Sequence, residues 1–269
     1  MGPTVGDPST GGHDVGVTYC IAMRLDEGLV FLSDTRTNAG IDNISTYRKL
    51  HVFRPTPDRI FVLQSAGNLA TTQEVLDRIE HDLAAPEPGG LATVDRLYEA
   101  ALYIGGLSTQ VAAAHRDALS RVGADGTSSF ILGGQVGDEA PDIFLVYPQG
   151  NYIRASDDLP YLQIGETKYG KLMLDLAVYA AADIDQAVKM AVSSMISTAR
   201  ANLSVGPPYD LGIYRNGTFA LEQGRMSADS PSLAALGHAW LSHLVDGVHS
   251  LPPVVFDDVD PEGPGATKH

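Results

Sequence analysis

Two apolar runs, residues 18–25 and 29–33, flank the turn-forming trio Asp26-Glu27-Gly28. That arrangement predicts a β-hairpin. A turn centred on Asp26 and Glu27 sets Thr18 opposite Thr35, with Asp34 beside it. A hydroxyl and a carboxylate then meet at the open end of the hairpin. A second hairpin is predicted from residues 45–53 and 59–64 across the Pro-rich loop 54–58. Centring it on Thr56 puts Lys49 opposite Leu63 and Tyr47 opposite Ser65. Lys49 thus lies near Ser65-Ala66-Gly67, which reads as a turn feeding a helix.

The period then changes from two to 3.6. Leu69, Val75, Leu76, Ile79 and Leu83 make one stripe of a helix over residues 69–83. A Pro/Gly break at residues 85–90 precedes a long helical pattern over 91–122, which Gly105-Gly106 can bend. Short alternating runs at 128–133, 142–147, 152–154 and 161–164 predict strands. Helices follow at 170–181 and 184–202, the second capped by Asp183. A closing hairpin is expected from 210–214 and 218–221, then a final helix over 232–245. Leu233, Leu236, Trp240, Leu241 and Leu244 give that helix a face suited equally to the core or to a subunit contact. Antiparallel strands interrupted by helices in pairs argue for a layered α+β sandwich and against a parallel βαβ wind.

Composition narrows the function. There are 33 acidic against 18 basic residues, a net charge of −15. Nucleic acid and anionic membranes attract concentrated Lys and Arg, so neither is an expected partner. Cys20 is the only cysteine, which excludes an internal disulfide and a Cys-based zinc site. No apolar run reaches the length of a bilayer span, and no signal-peptide pattern opens the chain. The expected location is the cytoplasm. Residues 1–17, rich in Gly, Pro, Ser and Thr, are expected to be disordered or removed. The acidic, Pro-rich residues 247–269 are expected to form a mobile tail.

The candidate chemistry is equally narrow. His238 and His243 are five apart and do not share a helix face; no His-Glu-x-x-His, Gly-x-Ser-x-Gly or phosphate loop occurs. No metal or other cofactor is expected. What remains is Thr18, Asp34, Lys49 and Gly67, which two neighbouring hairpins can bring together. A threonine at the start of a mature chain is a nucleophile carrying its own amine base.

Thr18 and Asp34, then Arg36, Ala39-Gly40, Arg48-Lys49 and Ser65-Ala66-Gly67 resemble the start of a proteasome β-type subunit. The wording of residues 18–53 and 63–73 is closer still to the Anbu family of bacterial proteasome-related proteins. Ile164-Gly165-Glu166 and the run Asn202-Leu203-Ser204-Val205-Gly206-Pro207, followed by Asp210-Leu211, extend the match to about Tyr214. The resemblance implies a four-layer αββα sandwich of the N-terminal-nucleophile hydrolase type, one proteasome-type domain over residues 18–246. Thr18 matches the nucleophile, and Lys49 the lysine beside it. Asp34 matches the carboxylate that holds the lysine, and Gly67 the glycine whose N–H receives the oxyanion. Ser204 matches a serine near the nucleophile, and Thr37 and Asn38 a strand that pairs with an extended peptide.

The implied function is threonine-type hydrolysis of peptides or unfolded protein. Self-assembly into a ring or helical homo-oligomer is implied too. No nucleotide-binding motif is present, so any unfolding ATPase would be a separate chain. A non-peptide amide hydrolase and a catalytically inert assembly subunit are the alternatives.

Three departures qualify the match. Lys49 lies one residue closer to Thr18 than is usual in β subunits. Ala201 stands where they place an Asp, three residues before the Ser204-like serine. Seventeen residues precede Thr18 where the family has Met alone. A GUG start codon written as Val17 accounts for this, as does a self-cleaved propeptide; a retained extension would leave the protein inert.

Overall fold

The computed structural model describes residues 18–38, 44–86 and 88–255. The expected N-terminal extension and the tail beyond residue 255 lie outside them. In chain order the first strands are β1 (Tyr19–Leu25), β2 (Gly28–Asp34), β3 (Arg36–Asn38), β4 (Ile44–Thr46), β5 (Leu50–Phe53) and β6 (Arg59–Gly67). Helices α1 (Leu69–Ala84) and α2 (Leu97–Ser120) follow. Four more strands come next: β7 (Ser128–Val136), β8 (Asp142–Val146), β9 (Tyr152–Arg154) and β10 (Tyr161–Gly165). The chain then forms α3 (Lys168–Ala177), α4 (Ile184–Ala201), β11 (Tyr209–Arg215), β12 (Leu221–Met226) and α5 (Pro231–His249).

Every paired strand among the described residues is antiparallel. One five-stranded sheet runs β10-β1-β2-β11-β12 and the other β5-β6-β7-β8-β9, with β3 and β4 as a separate ribbon. The first hairpin has the expected register, Cys20 opposite Ser33. Gly28 is required at its turn, because a Cβ there would lie 1.9 Å from the Tyr214 carbonyl oxygen on the neighbouring strand.

Three apolar clusters hold the elements together. Phe61, Leu63, Phe130 and Leu132 pack under Val75, Ile79, Ala101 and Ile104 of α1 and α2. Ile21, Met23, Val30 and Leu32 pack under Leu174, Ala187, Ala191 and Met195 of α3 and α4. Cys20, Ala22, Phe31, Val62, Ile131 and Ile164 from both sheets form a third cluster. Strand alternation explains the division: Ile21 and Met23 face the helices, while Cys20 and Ala22 face the other sheet. The inner strands of both sheets are therefore buried on two faces, which is why residues 28–34 are buried throughout.

Several elements differ from the sequence reading. The second hairpin pairs Leu50 with Gln64 and Phe53 with Phe61, a shift of two residues from the expected register. Its centre falls at Pro57 rather than Thr56. A two-residue shift keeps every side chain on its expected face, so the apolar pattern could not expose the error. Residues 45–48 do not extend β5, because Ile44–Thr46 pairs with Arg36–Asn38 instead. Ser65-Ala66-Gly67 is not a turn but the end of β6, paired to Ser128–Phe130. The turn is Asn68, whose side chain caps α1 by accepting from the Thr71 N–H.

Helix α2 starts at Leu97, six residues later than the apolar pattern suggested, with Glu99 accepting from the Asp95 and Arg96 N–H groups at its start. Gly105 serves a close approach: a Cβ there would meet the Gly150 carbonyl oxygen at 2.1 Å. The last strand is Leu221–Met226, not 218–221, since Thr218–Ala220 forms the bend and Phe219 has a φ of 48°. Helix α5 runs four residues past its expected end, and its residues mix the two expected roles. Leu233 is buried and Trp240 donates to Ser197 Oγ, while Leu244, Val245 and Val248 are exposed.

Candidate active site

The first hairpin delivers Thr18 and Asp34 to one end of its sheet, as its register requires. Thr18 is buried, at 6% exposure, at the threshold of β1. Asp34, at the end of β2, is fully buried. Its Oδ1 accepts from the Tyr19 N–H at 3.0 Å and from Lys49 Nζ at 2.7 Å. Burial pushes the Asp34 carboxyl above its ordinary range, while the Lys49 ammonium, the Tyr19 N–H and the Gly206 N–H pull it back. Lys49 Nζ also donates to the Arg36 carbonyl at 2.7 Å. The Lys49 side chain is thereby fixed at both of its partners and aimed into the space beside Thr18.

Thr18 stands between two concavities. A small one, about 30 Å³, is lined by Thr18, Thr37, Tyr47, Lys49, Ser65 and Gly67 among others. A larger cleft of about 500 Å³ shares Thr18 and Gly67 with it, and Tyr147, Gly165 and Glu166 form part of its wall. Thr18, Asp34, Lys49 and Gly67, read from the sequence as one constellation, thus come together. Thr37 joins them on the smaller cavity, with its Oγ1 buried and unpartnered among the described residues. Asn38 is placed only by its backbone, opposite Ile44 in the β3–β4 ribbon.

Gly67 has a φ of 116°, and a Cβ there would come within 2.5 Å of the Thr127 carbonyl oxygen. Only glycine fits this backbone. Gly165 is under the same constraint at φ 86°, since a Cβ would sit 1.8 Å from the Thr18 carbonyl oxygen. Its close approach lets the Glu166 N–H donate to that carbonyl at 2.7 Å.

Ser204 is half-buried in the turn after α4, and its N–H donates to Asn202 Oδ1 at 3.0 Å. Ala201, the last residue of α4, is exposed. Two further links tie this turn to the surroundings of Thr18. Asn202 Nδ2 donates to Glu166 Oε2 at 3.0 Å, and Arg36 Nη1 donates to the Leu203 carbonyl at 2.6 Å. The site-forming roles of Arg36, Glu166 and Asn202 were not legible from the sequence except as wording shared with a family. Arg36 offered one local signal: it lies two residues beyond Asp34, on the strand that continues from it. Among the described residues no three His, Cys, Asp or Glu side chains group as metal ligands, and no helix is long and apolar enough to cross a membrane.

A buried lysine–carboxylate pair beside a threonine at a strand start, on two stacked antiparallel sheets, defines a proteasome β-subunit-like protein, and solved structures agree. The Anbu (ancestral β-subunit) of Yersinia bercovieri superposes with a TM-score of 0.81 at 44% identity, covering 89% of this chain and 100% of that one. The Anbu complex of Pseudomonas aeruginosa, a helical assembly, gives 0.82 at 41% over 88% and 98%. A Gly-1 mutant of Anbu from Hyphomicrobium sp. strain MC1 gives 0.82 at 40% over 89% and 100%. No protein-family model and no curated protein matches the chain. The chain belongs to the Anbu family, the ancestral proteasome β-subunits.

Proposed function

We propose that this protein is a threonine-type N-terminal-nucleophile peptidase, built as a four-layer αββα sandwich over residues 18–246, with Thr18 as its nucleophile. The observation that carries the reading is the Lys49 ammonium, 2.7 Å from buried Asp34 and lining the same small cavity as Thr18. A cation fixed there favours the ionised hydroxyl and a neutral neighbouring amine.

The reaction needs the Thr18 α-amine to be free. Its reference pKa, about 7.7–8.0, suits a base near neutral pH. Thr18 Oγ forms a bond to the substrate carbonyl carbon as its proton passes to the α-amine. The carbonyl π electrons move to oxygen, and the Gly67 N–H stabilises that oxyanion. Alternation along β6 supports this donor. The Ser65 N–H reaches the Lys49 carbonyl and the Asn68 N–H reaches Thr127, so the Gly67 N–H points with that of Ser65, past the end of β5. Collapse breaks the C–N bond, and the ammonium proton goes to the leaving amine. Water then attacks the ester, gives its proton to the same amine, and Thr18 Oγ leaves and is reprotonated.

Thr37 lines the small cavity and Asn38 follows it on β3, which suits this strand to pair with the acyl half of an extended peptide. The larger cleft then takes the leaving half. The cleft's volume, about 500 Å³, accommodates several residues of chain and is the feature that favours peptides over small amides. With a chain that begins at Thr18, a fluorogenic peptide panel is expected to be hydrolysed at least tenfold faster than small amides of matched reactivity. The reverse order would make the protein a small-amide hydrolase.

Self-association is proposed on the strength of the helical relative and of α3, where Leu172 and Leu176 are 70% and 80% exposed. Sedimentation of the intact chain is expected to give an oligomer, and a monomer mass at micromolar concentration would contradict it.

A further inference from the structure

The hydrogen bonds around Thr18 close into a circuit. One arm runs from the Tyr19 N–H to Asp34, from Asp34 to Lys49, and from Lys49 to the Arg36 carbonyl. Arg36 continues it to the Leu203 carbonyl, in the turn that holds Ser204. The other arm returns from that turn: the Ser204 N–H donates to Asn202 Oδ1, and Asn202 Nδ2 donates to Glu166 Oε2. The Glu166 N–H then closes the ring on the Thr18 carbonyl at 2.7 Å. The first arm contains the lysine and carboxylate of the proposed chemistry. The second contains a carboxylate that the mechanism has not used.

We infer that Glu166 is a positioning residue for Thr18, held by Asn202 and placing a negative charge on the wall of the larger cleft that Thr18 also lines. This rests on the proposed role of Thr18. The geometry separates two effects. Asn202 bonds at once to the Glu166 carboxylate and to the Ser204 backbone, so it locks the β10–α3 turn to the α4–β11 turn. The Glu166 backbone sets where Thr18 sits; its side chain sets the field there. The charged groups around the Thr18 amine are Asp34, Lys49 and Arg36 on the hairpin side, and Glu166 and Asp125 on the cleft side. A negative charge on Glu166, which lines the same cleft as Thr18, stabilises the protonated amine. It therefore tempers the depressing influence of Lys49 and keeps the amine able to hold the proton between its two transfers.

The test uses chains that begin at Thr18, in which the described fold is complete, and compares Glu166→Gln, Glu166→Ala and Asn202→Ala. Gln keeps an oxygen for Asn202 and removes only the charge. The pH dependence of Thr18 amine labelling by a small acylating reagent reads the field directly, without turnover. Peptide hydrolysis reads the positioning. Glu166→Gln is expected to move the labelling midpoint down by about half a pH unit and to leave the unfolding temperature unchanged. Asn202→Ala should leave that midpoint in place and lower kcat about tenfold through misplacement. Glu166→Ala should show both effects. Labelling curves that superpose for wild type and both Glu166 variants would overturn the inference. A wild-type amine that labels normally in a protein that hydrolyses nothing would instead overturn the peptidase reading, and the midpoint shift would still decide the role of Glu166.

Discussion

Thr18→Ala, in a chain that begins at this residue, is expected to lower peptide hydrolysis by at least about 10³-fold while leaving the fold intact. The size of the loss follows from the chemistry. Alanine retains the amine, the Lys49 ammonium and the Gly67 N–H, but there is no oxygen to acylate. Binding and oxyanion stabilisation alone leave only a residual rate. Stability should change little, because the substitution removes two small atoms beside a cleft rather than from a packed cluster. Kinetics and thermal unfolding on the same preparation separate the two effects. Hydrolysis that survives in Thr18→Ala would move the nucleophile elsewhere.

The second large effect is at Lys49. Lys49→Met should abolish activity to a similar degree and also destabilise the protein by about 3–5 kcal/mol near neutral pH, because it leaves the Asp34 carboxylate buried without its cation. The sign of the pH dependence is fixed. Asp34 already sits above its ordinary value because of burial, and removing the ammonium removes the largest opposing influence. A carboxyl whose folded pKa is raised contributes stability below its unfolded pKa, about 3.9, and loses it as pH rises through the folded value. The deficit of Lys49→Met relative to wild type should therefore be small near pH 4 and large near pH 7.5, as read by thermal unfolding at both. Adding Asp34→Asn should recover much of the stability at pH 7.5 and none of the activity. A deficit that does not change with pH would mean that Lys49 acts by packing rather than by charge.

Much of this site was legible because it is built from local registers. The two-residue turn at Asp26-Glu27 fixes which residues oppose each other, so Asp34 could be placed beside Thr18 by counting. Lys49 was placed near the same end even though its hairpin was misregistered, because a shift by two residues preserves faces. The five-residue loop 54–58 permits more than one centre, and nothing in its composition chooses between Thr56 and Pro57. Gly67 was recognised as a chemical candidate but assigned to a turn. Its pairing with Ser128 depends on a strand sixty residues away, which no local pattern encodes.

The same limit hid the Glu166–Asn202 link. Each residue lies in an irregular segment after a regular element, and their contact exists only because β10 and α4 converge on one end of the sheet. Helix boundaries failed for a different reason. The apolar period continues through Leu91 and Val94, both buried, although residues 91–96 are not helical. Burial of apolar side chains does not require a helix to carry them.

The proposed activity turns on one covalent fact, the identity of the first residue of the protein as it is made in its own cell. Mass spectrometry of the natively expressed protein, with sequencing of its N-terminal peptide, measures it directly. The account predicts a chain that begins at Thr18 with a free α-amine. An intact Met1 terminus on the mature, assembled protein would contradict it, since the amine that must accept the proton would then be a peptide nitrogen.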